Sequence, residues 1–122
     1  MIKFDTALDY NIPMEEYAKE DNKINGPQEL TYNYITMAIN GKYAQGLSGQ
    51  KKRVWGRIQR KFDIMVDGNG KDTIVELEES EIDFIKSAFN DDSVKFPVSI
   101  AKYVMVAEDA IMELGKVVED KK

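Results

Sequence analysis

Residues 48–66 constrain the fold most, because they carry the clearest helical period in the chain. Apolar side chains recur there at steps of three and four residues, a spacing that stacks them on one face of an α-helix. They are Val54, Ile58, Phe62 and Met65, with the only tryptophan, Trp55, beside them. The segment therefore predicts an amphipathic helix that packs this stripe against a core.

The same helix also predicts a basic stripe. With Ile58 at the centre of the apolar face, Arg53, Arg57 and Arg60 fall on the opposite side, and Lys61 lies beside them. Guanidinium groups bind phosphates as bidentate forks. Arg53, Arg57, Arg60 and Lys61 are therefore the candidate ligands of a phosphate-recognising module that uses the basic helix 50–62, on nucleic acid or on a small nucleotide.

An acidic stretch offers a second interpretation of that stripe. Residues 63–92 carry ten acidic side chains against two lysines, and the whole chain has a formal net charge of −5. A net negative charge opposes general binding to a phosphate backbone. The basic helix therefore either binds a phosphate ligand or pairs with the acidic 72–92 segment within the fold, and the sequence leaves both open.

Three further helices are predicted from apolar periodicity, over 28–40, 78–89 and 97–118. Gly41 is expected to end the first of them. That helix is apolar over more than half of its circumference, so it should lie at the centre of the fold or be covered by a partner.

Two short stretches, 2–8 and 73–77, alternate or are β-branched, and they predict a two-stranded β element. Residues 9–29 are poor in apolar side chains and are expected to form a polar arm or loop with one helical turn, pinned to the body by residues such as Tyr10. The sequence thus predicts a single α+β domain over 1–122, mostly helical, with about four helices.

Several classes of function are disfavoured by composition. The chain has no cysteine and no histidine, which excludes disulfides, thiol catalysis and the zinc sites and triads that need those residues. It lacks a glycine-rich phosphate loop and a nucleophile elbow, and helix-start electrostatics explain the carboxylates over 76–83. We therefore expect no enzyme, no cofactor and no metal. Without a transmembrane run or a recognisable signal peptide, we expect a cytoplasmic protein with no membrane partner.

Residues 67–78 have the length of an EF-hand loop but lack its chemistry. Asp67, Asn69 and Glu78 match liganding positions one, three and twelve. Lys71 occupies the fifth liganding position, and Asp72 stands where the sharp turn needs glycine. Because a cation at a ligand position repels calcium, we expect a helix–turn–strand junction here.

The last predicted helix carries a second apolar surface beside its main stripe. Ala101, Met105 and Met112 lie roughly 120° away from that stripe around a regular helix. Methionine is adaptable and common at protein interfaces. These three residues are the predicted interface with a second copy of the chain or with another protein, and the alternative is a broad intrachain core.

Four short motifs occur in order over residues 28–115. They are Leu30-Thr31, Leu47-Ser48-Gly49-Gln50-Lys51, Val75-Glu76-Leu77-Glu78 and the Ile-x-x-Ile-Lys run from Ile82 to Lys86. This order, after a polar N-terminal arm, resembles small accessory proteins of tailed bacteriophages. The resemblance implies a phage-encoded, non-enzymatic binding or assembly protein, located in the host cytoplasm or in the virion, and it assigns no residue a role.

Overall fold

The chain folds into helices of different lengths and two short strands. The structure, a computed structural model, describes residues 1–17, 26–67 and 72–115. Its elements are β1 (Ile2–Asp5), α1 (Met14–Tyr17), α2 (Pro27–Lys42), α3 (Gly49–Asp67), β2 (Ile74–Leu77), α4 (Glu79–Phe89), a 3₁₀ turn (Val98–Ile100) and α5 (Ala101–Met112). The predicted class is confirmed, since the described residues form a mostly helical α+β fold with one two-stranded sheet.

The two strands form an antiparallel pair in which Phe4 stands opposite Val75 and Asp5 opposite Ile74. Phe4 and Val75 face the core, whereas Ile74 points to the outer face. The first strand is shorter than predicted because the Asp5 carboxylate accepts the backbone N–H of Ala7 at 3.1 Å and turns the chain.

Helix α2 lies at the centre of the fold, where it contacts α3, α4 and α5. Ile35, Ala38 and Ile39 on this helix are fully buried or nearly so. Most of its wide apolar arc is therefore covered by the rest of the chain, while Leu30 and Met37 stay partly exposed. This packing reduces the apolar surface of α2 that a partner could cover.

Gly41 does not end α2, and that prediction is wrong. The helix continues through Gly41 to Lys42. A Cβ atom at position 41 would lie 3.0 Å from Cγ1 of Val94, in the loop after α4. The glycine therefore allows that loop to approach the helix closely, and it does not terminate the helix.

The prediction of one helix over 97–118 is wrong at both ends. Pro97 has an extended backbone (ψ 140°), and a 3₁₀ turn precedes the regular helix α5. After Met112 the chain turns and reaches Gly115, whose φ of 77° lies in the left-handed region that glycine adopts without strain. Residues 116–122 lie outside the described residues.

A buried hydroxyl network fixes the start of the polar arm. The Thr31 hydroxyl donates to the carbonyl oxygen of Thr6 at 2.8 Å. Its single proton is thereby engaged, so the Tyr10 hydroxyl donates to Thr31 Oγ1 at 2.5 Å. Tyr10 is buried and contacts Tyr34 edge-on. The predicted arm is pinned at Tyr10, and its residues 18–25 lie outside the described residues.

Candidate functional site

Helix α3 turns two of its four candidate phosphate ligands toward α4. Arg57 Nε lies 3.3 Å from Glu81 Oε2, and Lys61 Nζ lies 2.7 Å from Glu81 Oε1. Lys61 Nζ also donates to the carbonyl oxygen of Glu76 at 2.8 Å. The side chain of Glu81 is 0% exposed, so the counter-ion of both cations is completely buried.

The environment of Glu81 keeps it charged. Burial by itself raises the pKa of this carboxyl, but three sets of hydrogen bonds outweigh burial and hold the pKa below its usual range. They come from Lys61, from the backbone N–H of Glu78 at 2.8 Å and from Arg57. Intramolecular pairing with the acidic segment therefore accounts for Arg57 and Lys61, and Glu81 as their partner was not singled out by the sequence.

The other two candidate ligands remain on the surface. Arg53 and Arg60 are exposed and make no ion pair with any other residue that the structure describes. A shallow depression of about 570 Å³, which we call the Gly56 notch, runs along this side of α3. It is lined by Gly56, Gln59, Arg60, Asp63, Ile64 and Asp67.

Ile64 is an apolar residue on this otherwise polar face. Its side chain is 69% exposed, and it lies with Met1 and Ile74 around a second depression of about 300 Å³ beside β2. Sequence reasoning missed this group. The signal was available, since the period that buries Phe62 and Met65 assigns position 64 to the solvent side.

Helix α5 exposes the predicted interface only in part. Ala101 is exposed and Met105 is 59% exposed, but Met112 is partly buried and packs against the core. The exposed part of this face is therefore narrower than the predicted three-residue surface.

A third concave region, also absent from the predictions, lies between the arm, α2 and α5. It has a volume of about 570 Å³, and its lining combines apolar side chains with the polar side chains of Asn11, Glu16 and Asn33. The apolar side chains are Ile12, Leu30, Met37 and Ile100, beside the rings of Tyr34 and Tyr103.

Metal-binding and membrane-spanning features are described here for residues 1–17, 26–67 and 72–115, the part of the chain that the structure describes. Within these ranges no three acidic side chains are grouped so that they could hold a metal ion. Residues 68–71, the part of the EF-hand-length segment that carries Asn69 and Lys71, lie outside them. No helix in the described part is both long enough and apolar enough to cross a bilayer.

No protein-family model, curated protein or solved structure matches the chain.

Proposed function

We propose that the chain is a small, non-enzymatic assembly protein that acts by associating with copies of itself. The observation that carries this proposal is the grouping of Met1, Ile64 and Ile74 around one depression, each with a large exposed fraction. Contiguous apolar surface commonly marks the place where a partner docks. A symmetric dimer is the simplest partner arrangement, because it needs only one self-complementary patch.

The core contact of α3 does not require the exposed side chain of Ile64. The side of α3 that packs against the core is formed by its buried residues, which are Trp55, Ile58, Phe62 and Met65. Full burial of an isoleucine side chain contributes about 1.5–3 kcal/mol. Burial of Ile64 in a complex would therefore favour association. In the single chain most of this side chain stays in contact with water.

The chemistry of the two depressions on α3 supports a binding role. Their lining residues include no serine, threonine, cysteine, tyrosine or histidine. The side-chain amine that lines them, Lys61 Nζ, is bound to Glu81 and to the carbonyl of Glu76. A nucleophile with a general base beside it is the usual core of a covalent catalyst. The lining supplies carboxylates but no hydroxyl, thiol or imidazole group to pair with them.

Light scattering coupled to size-exclusion chromatography tests the proposal. One chain has a mass of 13.9 kDa, and we expect a multiple of that mass at micromolar concentration. A mass of one chain at high micromolar concentration would contradict self-association and leave a different protein as the partner.

A second candidate function is phosphate recognition by Arg53 and Arg60. It is supported by their exposure on one face of α3, with Lys51 and Lys52 exposed in the first turns of the same helix. Nucleic-acid binding should then weaken steeply with salt, since each phosphate contact releases counterions. A mobility-shift titration at two salt concentrations should show binding that Arg53→Glu with Arg60→Glu abolishes and that the control Lys102→Glu retains.

The resemblance to small accessory proteins of tailed bacteriophages stays a prediction, as does the location in host cytoplasm or virion. An assembly role agrees with what that resemblance implies.

A further inference from the structure

We infer that the outward face of α3 binds the same face of a second copy of the chain, with the two helices antiparallel and a two-fold axis beside Arg60. The inference rests on the proposed self-association and names the surface and geometry through which it occurs. Three observations on this one face carry it, namely a notch, a projecting side chain and an uneven distribution of charge.

The notch and the projection lie in one row along the helix. Gly56, Arg60 and Ile64 follow one another at steps of four residues, so they form a ridge on the helix surface. When this row is aligned with its copy in the opposite direction about position 60, each Ile64 lies over the Gly56 of the other chain.

Gly56 has no role inside the fold that would explain it. A Cβ atom at position 56 would meet no atom within 4 Å, in contrast to position 41, where Val94 is 3.0 Å away. Glycine is among the least favourable residues in a helix interior. The close approach of a second chain to α3 would explain why position 56 is a glycine.

Away from the axis, the charges that face each other are opposite in the antiparallel arrangement and alike in a parallel one. The face is basic toward the start of the helix, at Arg53, and acidic at its end, at Asp67. Alignment about position 60 places Arg53 of each chain opposite Asp67 of the other. A parallel alignment would instead set Arg53 against Arg53, and like charges at close range repel.

Arg60 lies at the two-fold axis, where it meets its own copy, so these two like charges need a carboxylate of the facing chain beside each of them. Its long side chain can extend to Asp63 of the second copy, one turn away along the helix. Asp63 is exposed, and only its Oδ1 accepts the Tyr32 hydroxyl, at 3.0 Å. The second carboxylate oxygen makes no hydrogen bond with any other residue that the structure describes, so it is available as an acceptor for the guanidinium group.

The first test fills the notch and removes the projection. Ile64→Glu and Gly56→Gln should each weaken dimerisation at least tenfold by light scattering, while the circular dichroism spectrum stays helical. Gly56→Gln should also leave the thermal midpoint of the monomer unchanged or higher, a result that a merely structural role for Gly56 would not give. The matched control is Met105→Glu on α5, which should remain dimeric.

The second test reverses the charges. Arg53→Asp and Asp67→Arg should each weaken the dimer, because each places like charges across the interface. The double variant restores opposite charges at both symmetric contacts, and its dissociation constant should return to within about threefold of that of the unsubstituted chain.

Cysteine cross-linking fixes the orientation, since the chain has no cysteine of its own. Arg60→Cys should form a disulfide-linked dimer on mild oxidation, because position 60 meets its own copy at the axis, and Lys102→Cys should not.

An oligomer that survives both Ile64→Glu and Gly56→Gln would overturn this geometry, as would one that Met105→Glu dissociates, and both would leave self-association intact. A monomer at high micromolar concentration would overturn the proposed function together with the inference.

Discussion

The two sides of helix α3 carry similar charges and use them differently. Toward α4, Arg57 and Lys61 surround the buried carboxylate of Glu81. On the outward side, Arg53 and Arg60 are exposed, and Arg60 lines a depression together with the exposed Asp63. The position of the counter-ion therefore decides the role of a basic side chain. With a buried carboxylate beside it, the side chain forms an ion pair within the fold, and without one it stays on the surface, where a partner can bind it. Charge composition alone does not distinguish the two.

The largest expected effect on the free energy of unfolding follows from removing the Glu81 carboxylate on the inward side of α3. Glu81→Ala removes the shared counter-ion of Arg57 and Lys61 and the acceptor of the Glu78 N–H. Removing one partner of a buried ion pair costs about 3–5 kcal/mol. We expect the lower end of that range, because the Arg57 side chain is 49% exposed and water can solvate it.

Urea unfolding measures this change in the free energy of unfolding. The control is Arg60→Ala on the outward side, which should change it by less than about 0.5 kcal/mol. Equal effects of the two substitutions would mean that the inward cluster is no drier than the outward face.

The second prediction concerns acid. The folded-state pKa of Glu81 lies below its unfolded value of about 4.3, so its contribution is complete above that pH and is lost as the pH falls through the folded pKa. The free energy of unfolding should therefore decline from pH 6 to pH 3. Hydrogen bonds from Ser93 and then Lys42 also lower the pKa of Asp91, which adds a loss of the same sign.

The variant Glu81→Gln isolates the first contribution. It should be less stable than the unsubstituted chain at pH 6 and should lose less stability between pH 6 and pH 3 in urea unfolding series. Glu79→Gln, an exposed neighbour on α4, serves as the control and should keep the original slope. Parallel pH profiles for the Glu81→Gln variant and the unsubstituted chain would remove Glu81 from the explanation of acid sensitivity.

A smaller effect distinguishes two glycines. Gly56→Ala should raise the free energy of unfolding by about 0.5–1 kcal/mol, because alanine favours the helix and the added Cβ meets open space. Gly41→Ala should gain less or lose stability, since its Cβ would lie 3.0 Å from Val94 Cγ1. Urea unfolding of both variants measures the difference. A larger gain for Gly41→Ala would mean that the Val94 loop moves aside without cost.

The sequence predicts what local spacing determines. The apolar period placed α3 to within a residue at each end, and α4 follows Glu78 as expected, because both signals come from neighbours along the chain. The pairing of 2–8 with 73–77 was also predictable, since these are the chain's two stretches with strand character.

What the sequence could not predict depends on residues distant along the chain. Gly41 is explained by Val94, which lies more than fifty positions away. The inward turn of Arg57 and Lys61 depends on how α4 is rotated, since that rotation brings Glu81 beneath them. Periodicity assigns a residue to a face of its own helix, but it does not say which neighbouring element covers that face.

The smallest expected effect on the free energy of unfolding is at Ile64, which is compared with the buried Ile58 on the same helix. Ile64→Gln should change the free energy of unfolding by less than about 0.5 kcal/mol, because its side chain is largely exposed and loses few contacts. The same substitution at Ile58, which is 0% exposed on the same helix, buries an amide without partners and should cost several times more. Urea unfolding at a concentration where the chain is monomeric is required, since association would add its own contribution to stability. A large loss at Ile64 under those conditions would mean that this isoleucine serves the fold, and the case for a partner at this face would fail with it.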